Sequence, residues 1–406
     1  MLIQLVAPVV VFTVLVLLLT ALVLAARHRL EPGGSVVITI NDERTLEAEA
    51  GDRLLWALAE QGIYLPAACG GRGLCGQCRV TVHSGGGPLL PTESAQLRDE
   101  ERAVGVRLAC MLKVREPLRI VLPKTALDVQ RWTCAVVSNR HVATYMKELV
   151  LQLPGNERIR FAAGEYVLLE APPHHLAFRD FDIAPEYRND WQHNRLFELE
   201  SVTEEQVVRA YSLANPPQQD RQIVLVVRLA TPPASAPMAP PGQASSYVFS
   251  LKPGDSVAVS GPFGEFHATD TSKEMLLIAG GAGIAPLRSI VLDQLARGTG
   301  RRLSLWYGAR DVAELCYADE LRAAAEVHPN FAVHVALSSP RHPERWTGHT
   351  GFIHRVVYEQ YLMSHGAPQD VEYYLCGPPV MTAAVVQMLE QLGVDRRNVY
   401  FDDFGS

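Results

Sequence analysis

The stretch "AACGGRGLCGQCRVTV", residues 67–82, sets three cysteines in ten positions among four glycines, then passes into an alternating run. Cys69, Cys75 and Cys78 read C-x5-C-x2-C, and Cys110 follows at a distance. Three thiols from a tight loop plus one remote thiol make a ligand set for a [2Fe–2S] cluster. Gly70, Gly71, Gly73 and Gly76 let the backbone curl through dihedrals closed to other residues and aim N–H groups at sulfur. Four cysteines also satisfy tetrahedral zinc, but zinc ribbons present two C-x2-C knuckles and only one is present here. A thioredoxin-like pair at 75 and 78 leaves Cys69 and Cys110 without a role.

The flanks of the loop suit a small α+β unit over residues 33–127. "VVITI" (36–40) and "RTLEAEA" (44–50) read as a hairpin turning at Asn41-Asp42. "DRLLWALAEQG" reads as a helix with Asp52 as N-cap, apolar residues at 54, 55 and 58, and Gly62 past its end. Strands "CRVTVHS" and "LRIVLP" follow, with "RLAC" at 107–110 between them.

A chain of 406 residues exceeds one ordinary core. Its net charge of −7 excludes the basic stripe of a nucleic-acid surface, so no nucleic-acid partner is expected. Seven cysteines, three of them bunched, fit thiolate ligands in a reducing compartment better than secreted bridges. Val6 to Ala26 carries no ionisable side chain and meets the roughly 20 apolar residues needed to span a bilayer. A cleaved signal peptide has a shorter apolar core and a basic start. Here Arg27 and Arg29 follow the apolar run, which by the positive-inside rule puts the downstream chain in the cytoplasm. Residues 1–29 therefore read as a single-pass anchor. Without an internal charge, this helix suits packing against membrane partners and not an ion path.

From 128 to 268 short strand-like runs separated by Gly and Pro suggest an antiparallel barrel. Two interruptions stand out: an aromatic and charged surface insert over 171–206, and the stiff, Pro-rich "TPPASAPMAPPG" at 231–242. His174 and His175 lie in the first and read as solvated loop residues, having no partner at ligand spacing. From 269 to 406 strands alternate with helices, the pattern of a covered parallel sheet.

Candidate cofactor residues sit at the ends of these elements. "RAYSLAN" (209–215) puts Arg209 and Tyr211 on one face by period two, a guanidinium for a pyrophosphate beside a phenol for a ring system. Ser212 falls on the opposite face and reaches such a ring if the strand kinks. "PGQASSYVFS" supplies Gly242, Gln243, Ala244, Ser245 and Ser246, a small-residue helix start that accepts phosphate. "MLLIAGGAGIAPLRSI" runs strand, glycines, helix, with Gly280, Gly281 and Gly283 in the turn and Pro286 at the N1 position. No acidic ribose ligand follows at the usual distance; "YGARD" offers Arg310 and Asp311, a pair that favours neither NADH nor NADPH. "YYLCGPPVM" puts Cys376, Gly377 and Pro378 at the carboxyl end of a strand, where α/β sheets bind ligands. Cys134 and Cys316 read as small buried hydrophobes.

These motifs carry a resemblance. Residues 33–127 are similar to a plant-type ferredoxin with one extra residue between the first two ligands. The Arg-x-Tyr-Ser strand, the helix start at 242 and "GPFGEF" (261–266) resemble the FAD-binding barrel of the ferredoxin–NADP reductase superfamily. The apolar N-terminal segment, the insert "FRDFDIAPEYRNDW", "VVRAYS" and "FDDFGS" resemble the F-subunit family of the sodium-translocating NADH:quinone oxidoreductases. The resemblance implies a multidomain fold: transmembrane helix, β-grasp ferredoxin domain, antiparallel FAD barrel and Rossmann-like nicotinamide domain. It implies FAD and a [2Fe–2S] cluster as cofactors, with NADH as substrate. It also implies Cys376 and Ser212 beside the reacting rings, and Phe404 covering the flavin until nicotinamide displaces it; packing of Phe404 into the core is the competing reading. The setting it implies is the bacterial inner membrane, with other subunits of the complex as partners, ubiquinone as final acceptor and sodium transport. Flavin takes electrons in pairs and releases them singly, which fits the order of the modules. The alternatives are the reductase component of a multicomponent oxygenase and an electron-inert, zinc-bound membrane adaptor; a colourless purified protein would favour the latter.

Overall fold

The computed structural model describes residues 11–22, 34–127, 129–233 and 235–402. Phe404 lies outside them, as do most of residues 1–33. Residues 11–22 form a helix, α1. Among the described residues, no helix is long and apolar enough to cross a membrane. The chain divides into two units: one runs to Asp128 except for Pro66–Gly70, which group with the second, continuing from Val129.

In the first unit, β1 (Ser35–Ile40) and β2 (Arg44–Glu49) pair antiparallel. Asn41 and Asp42 turn the chain in the left-handed region, which their short polar side chains tolerate. Helix α2 (Leu54–Glu60) starts from Arg53, not Asp52. Asp52 is held in the approach to the helix, its amide donating to Glu49 and its carbonyl accepting from Val114 at 2.8 Å. Then come β3 (Arg79–Ser84), α3 (Pro91–Ser94), α4 (Asp99–Ala103), β4 (Val106–Leu108), β5 (Leu118–Val121) and α5 (Lys124–Leu127). The sheet order is β2-β1-β5-β3-β4, with β1 and β5 parallel. Ile38, Ile40, Leu54, Leu58 and Ile120 are buried beneath the helix-covered face.

The second unit opens with β6 (Gln130–Ala143), β7 (Met146–Gln152) and β8 (Tyr166–Ala171). The insert contributes β9 (His174–Ala177), α6 (Arg188–His193) and β10 (Glu200–Thr203). β11 (Val207–Ser212), β12 (Gln222–Arg228), α7 (Gln243–Ser250) and β13 (Ser256–Phe263) complete this part. Six strands run antiparallel in the order β11-β8-β13-β6-β7-β12, and a bridge between Leu213 and Leu225 joins the outer two. Leu149, Leu151, Val167, Leu169 and Ile223 fill the interior. The insert differs from a surface loop. Trp191 is fully buried among Phe178, Phe181 and Phe249, and its indole N–H donates to the Thr144 carbonyl at 2.9 Å. His174 and His175 lie on a strand: His174 bonds Ser201 and the Pro172 carbonyl, and His175 pairs with Glu200.

The remaining elements are β14 (Met275–Gly280), α8 (Ile284–Ala296), β15 (Leu303–Ala309), α9 (Ala318–Val327), β16 (Phe331–Leu337), β17 (His349–Thr350), α10 (Ile353–Gln360), β18 (Glu372–Cys376), α11 (Pro379–Gln391) and β19 (Val399–Phe401). All strands are parallel, in the order β17-β16-β15-β14-β18-β19. β14 is buried throughout, as a central parallel strand must be. Pro286 sits at N3 of α8, not N1, because a single 3₁₀ turn over Gly281–Gly283 carries the chain into the helix. Its missing N–H is harmless there, since first-turn amides have no intrahelical acceptor.

Candidate active site

In the cysteine loop all four glycines, 70, 71, 73 and 76, take positive φ. At Gly73 a Cβ would also meet the Met111 sulfur at 2.7 Å, so dihedral and space both select glycine. Arginines tie the loop down: Arg53 donates to the Gly71 carbonyl at 3.2 Å, and Arg79 donates to the Gly76 and Gln96 carbonyls. Cys69, Cys78 and Cys110 are buried, Cys75 is half-buried, and none forms a disulfide. The amide of Ala109 donates to the Cys78 carbonyl at 2.8 Å, lacing the loop to the segment that carries Cys110. The Cys78 thiol is pushed far above its ordinary range by a hydrogen bond with Cys110, by burial and by the nearby Cys75. That clustering is what a polythiolate ligand set requires. Bound iron would supply the positive charge that lets such thiols ionise. Among the described residues no group of three or more His, Cys, Asp or Glu closes round a single ion; in a [2Fe–2S] cluster four thiolates are shared between two irons.

The segment bearing Cys110 is fixed by a buried ion pair. Glu93 is fully enclosed, taking Arg107 at 2.9 and 2.7 Å and the Leu108 amide at 3.1 Å. Arg107 spends its remaining donors on the carbonyls of Gly86, Gly87 and Pro88. Burial alone would raise the Glu93 pKa, but these hydrogen bonds bring it below its ordinary value.

In the second unit a cavity of about 850 Å³ opens between the end of β11 and the carboxyl ends of the parallel strands. It is lined by Tyr211 and Ser212, by the Gly280–Gly283 turn, by Arg310, and by Cys376, Gly377 and Pro378. The two glycine turns interlock: a Cβ on Gly283 would lie 2.1 Å from the Cys376 carbonyl oxygen, and one on Gly377 would lie 2.5 Å from Met381. Ser212 is buried and its hydroxyl has no protein partner. An unpaired buried hydroxyl on a cavity wall is a demand for a ligand acceptor or donor. Burial pushes the Tyr211 phenol up, and burial with the nearby Asp402 carboxylate does the same to Cys376, so both are neutral. Cys134 and Cys316 are buried as well, their thiols pushed up to about 12 and about 11.

Other candidates stand apart from this cavity. Arg209 is paired on β11 opposite Leu169 and donates to the Val208 carbonyl at 2.7 Å. At α7 the hydroxyls of Ser245 and Ser246 turn back onto the Gly242 carbonyl, so of the groups in this first turn only the backbone N–H groups of Gln243, Ala244 and Ser245 are left without an intrahelical acceptor. Pro286 is buried behind the turn. Asp311 is occupied by the Ala313 and Arg341 amides and by the Arg341 guanidinium. Sequence reading passed over Arg228 and Glu314, an ion pair at 3.3 Å on the cavity wall, and Phe352 and His354 at its rim. No motif marks them; they converge from separate elements: a strand end, a 3₁₀ turn and the start of α10.

Sequence profiles match along the chain: the 2Fe-2S iron-sulfur cluster binding domain over 38–115, the oxidoreductase FAD-binding domain over 192–268 and the oxidoreductase NAD-binding domain over 277–387. Fold and site thus define an iron–sulfur flavoprotein oxidoreductase working with NAD. In fold the chain is similar to the Amycolatopsis cytochrome P450 reductase GcoB (TM-score 0.65, 26% identity, covering 91% of this chain and 98% of that one). It is similar also to a ferredoxin reductase in carbazole 1,9a-dioxygenase (TM-score 0.59, 23% identity, the same coverage). The F subunit of the Na(+)-translocating NADH-quinone reductase of Klebsiella pneumoniae subsp. pneumoniae is 51% identical over 405 residues, covering 99% of this chain and all of that protein. Its counterpart in Neisseria gonorrhoeae is 49% identical over 403 residues, with the same coverage. The chain belongs to the F-subunit family of the Na(+)-translocating NADH-quinone reductases.

Proposed function

We propose that this chain is the NADH-oxidising subunit of a sodium-translocating NADH:quinone reductase in a bacterial inner membrane. The observation that carries the reading is the shared cavity onto which both the Ser212 strand end and the Cys376 turn open. FAD bound there and a [2Fe–2S] cluster in the cysteine loop would supply the two-electron and one-electron chemistry that splits a hydride's electron pair into single electrons.

The protein's part is positioning. Arg209 and the first turn of α7 would hold the FAD pyrophosphate, Tyr211 would flank the ring system, and Ser212 would place its unpartnered hydroxyl on it. The Gly280–Gly283 turn, whose close packing on Met381 and the Cys376 carbonyl leaves no room for side chains at Gly280 and Gly283, would present its backbone to the NADH pyrophosphate. Cys376, neutral and buried, packs beside the nicotinamide and orients it without acting as a nucleophile. Cys69, Cys75, Cys78 and Cys110 would hold the cluster, whose one-electron chemistry would serve partner subunits and, as final acceptor, ubiquinone. Residues 6–26 anchor the chain in the membrane by a single pass, with the cofactor-binding units on the cytoplasmic side.

The reductase of a multicomponent oxygenase shares these modules, but full-length identity near half to the F-subunit relatives supports the quinone reductase. Cofactor analysis with anaerobic stopped-flow reduction tests the reading. It predicts stoichiometric FAD, two irons per chain, and fast flavin bleaching by NADH. Absence of FAD, or bleaching that ignores NADH, would overturn it.

A further inference from the structure

Helix α6 lies in the insert, and two of its side chains leave it for the elements around the cavity. Trp191 donates to the Thr144 carbonyl at 2.9 Å. Thr144 in turn donates its amide and its hydroxyl to the Ala313 carbonyl, at 2.9 and 3.1 Å. Asp190, one residue before Trp191, takes three hydrogen bonds from the Arg341 guanidinium at 2.8, 3.1 and 3.1 Å. Arg341 is shared: its amide and its Nε also donate to the Asp311 carboxylate, at 2.7 and 3.3 Å. Asp311 passes the restraint on by accepting from the Ala313 amide at 3.1 Å.

The insert therefore grips the 3₁₀ turn Val312–Glu314 twice, at the Ala313 carbonyl through Thr144 and at the Ala313 amide through Arg341 and Asp311. Arg310 stands just before this turn and Glu314 ends it; both line the cavity, where Glu314 pairs with Arg228 at 3.3 Å. Ser338, on the same wall, lies three residues before Arg341. A guanidinium forked between two carboxylates ties them at a fixed spacing. The Asp190 and Asp311 side chains are only 25% and 15% exposed, so solvent screens this tie less than a surface pair. Asp190 itself does not line the cavity, and its effect reaches the wall only through these partners.

Resting on the reading of the cavity as the nicotinamide-dinucleotide site, we infer that Asp190 is a positioning residue for NADH: through Arg341 and Asp311, the insert braces the turn that sets Arg310 and Glu314 on the cavity wall. Full-length holoenzyme is assayed with ferricyanide as acceptor, and hydrogen exchange is followed by mass spectrometry in the peptide over residues 312–317. Asp190→Ala raises KM for NADH roughly fivefold at unchanged kcat and FAD content, and quickens exchange in that peptide. Asp190→Glu restores the wild-type KM. Combining Asp190→Ala with Arg341→Ala raises KM no further than Arg341→Ala alone, since both break one tie. Glu198→Ala, which removes an ion pair with Arg195 inside the insert, leaves KM as in the wild type. Unchanged exchange, additive effects in the double variant, or an equal rise in KM from Glu198→Ala overturns the brace. Faster exchange with an unchanged KM overturns its role in NADH binding. Failure of ADP-ribose to compete with NADH in the wild type overturns the dinucleotide reading itself.

Discussion

Ser212 and Cys376 face one cavity from two separately folded elements, and each has its own test. Replacing Ser212 by alanine removes the hydroxyl that no protein group satisfies. The expected result is a loss of about ten- to a hundredfold in the rate of flavin reduction by NADH, with KM little changed. Arg209→Ala should release FAD while iron is retained; parallel loss of both would count against a flavin role for β11. Cys75→Ala should abolish the cluster's EPR signal and leave NADH-dependent bleaching of FAD intact. At this scale the sequence was readable where chemistry forces spacing. C-x5-C-x2-C and Arg-x-Tyr-Ser are strings because one loop or one strand must present all their groups. Arg228 ends β12, Glu314 lies in a 3₁₀ turn after β15 and Phe352 precedes α10, so they meet only after folding and no string announces them.

The buried Arg107–Glu93 pair couples β4 to α3, and so steadies Cys110 two residues beyond Leu108. Removing one partner strands the other in the interior. Arg107→Met should destabilise the first unit by about 3–5 kcal/mol and lose its cluster, measured by urea unfolding and iron content. The pH dependence follows the same group. Glu93 is held below its ordinary 4.5, so its contribution is complete above that value and fades as pH falls below about 4.5 through the folded pKa. The urea midpoint should drop over this acid range, and Glu93→Gln should lower the midpoint at neutral pH while flattening that part of the profile. The type of most elements was legible from period and turn residues, but their ends depend on tertiary partners. Asp52 is diverted from capping α2 by its backbone bonds to Glu49 and Val114. Helix α9 begins only at Ala318 because Asp311 caps a 3₁₀ turn at Val312–Glu314 first. The insert's aromatics pack around Trp191, a burial that composition alone did not distinguish from a surface tract.

Across the whole molecule, the order of modules was legible because each cofactor leaves its own signature: thiols for iron, a basic-aromatic strand for flavin, a glycine turn for the dinucleotide. Removal of residues 1–33 should release the protein from membranes with NADH:ferricyanide activity retained and quinone reduction by the complex lost; membrane retention of the truncated chain would count against the anchor. On this reading one chain passes electrons from NADH through FAD to an iron–sulfur cluster. Freeze-quench EPR of the anaerobic holoenzyme mixed with NADH, run beside optical stopped flow, tests it most directly. The reduced-cluster signal should grow only as or after the flavin bleaches, and should be absent from Cys75→Ala. A cluster signal that develops at the wild-type rate in FAD-depleted protein, or protein that carries zinc and yields no signal, would contradict it.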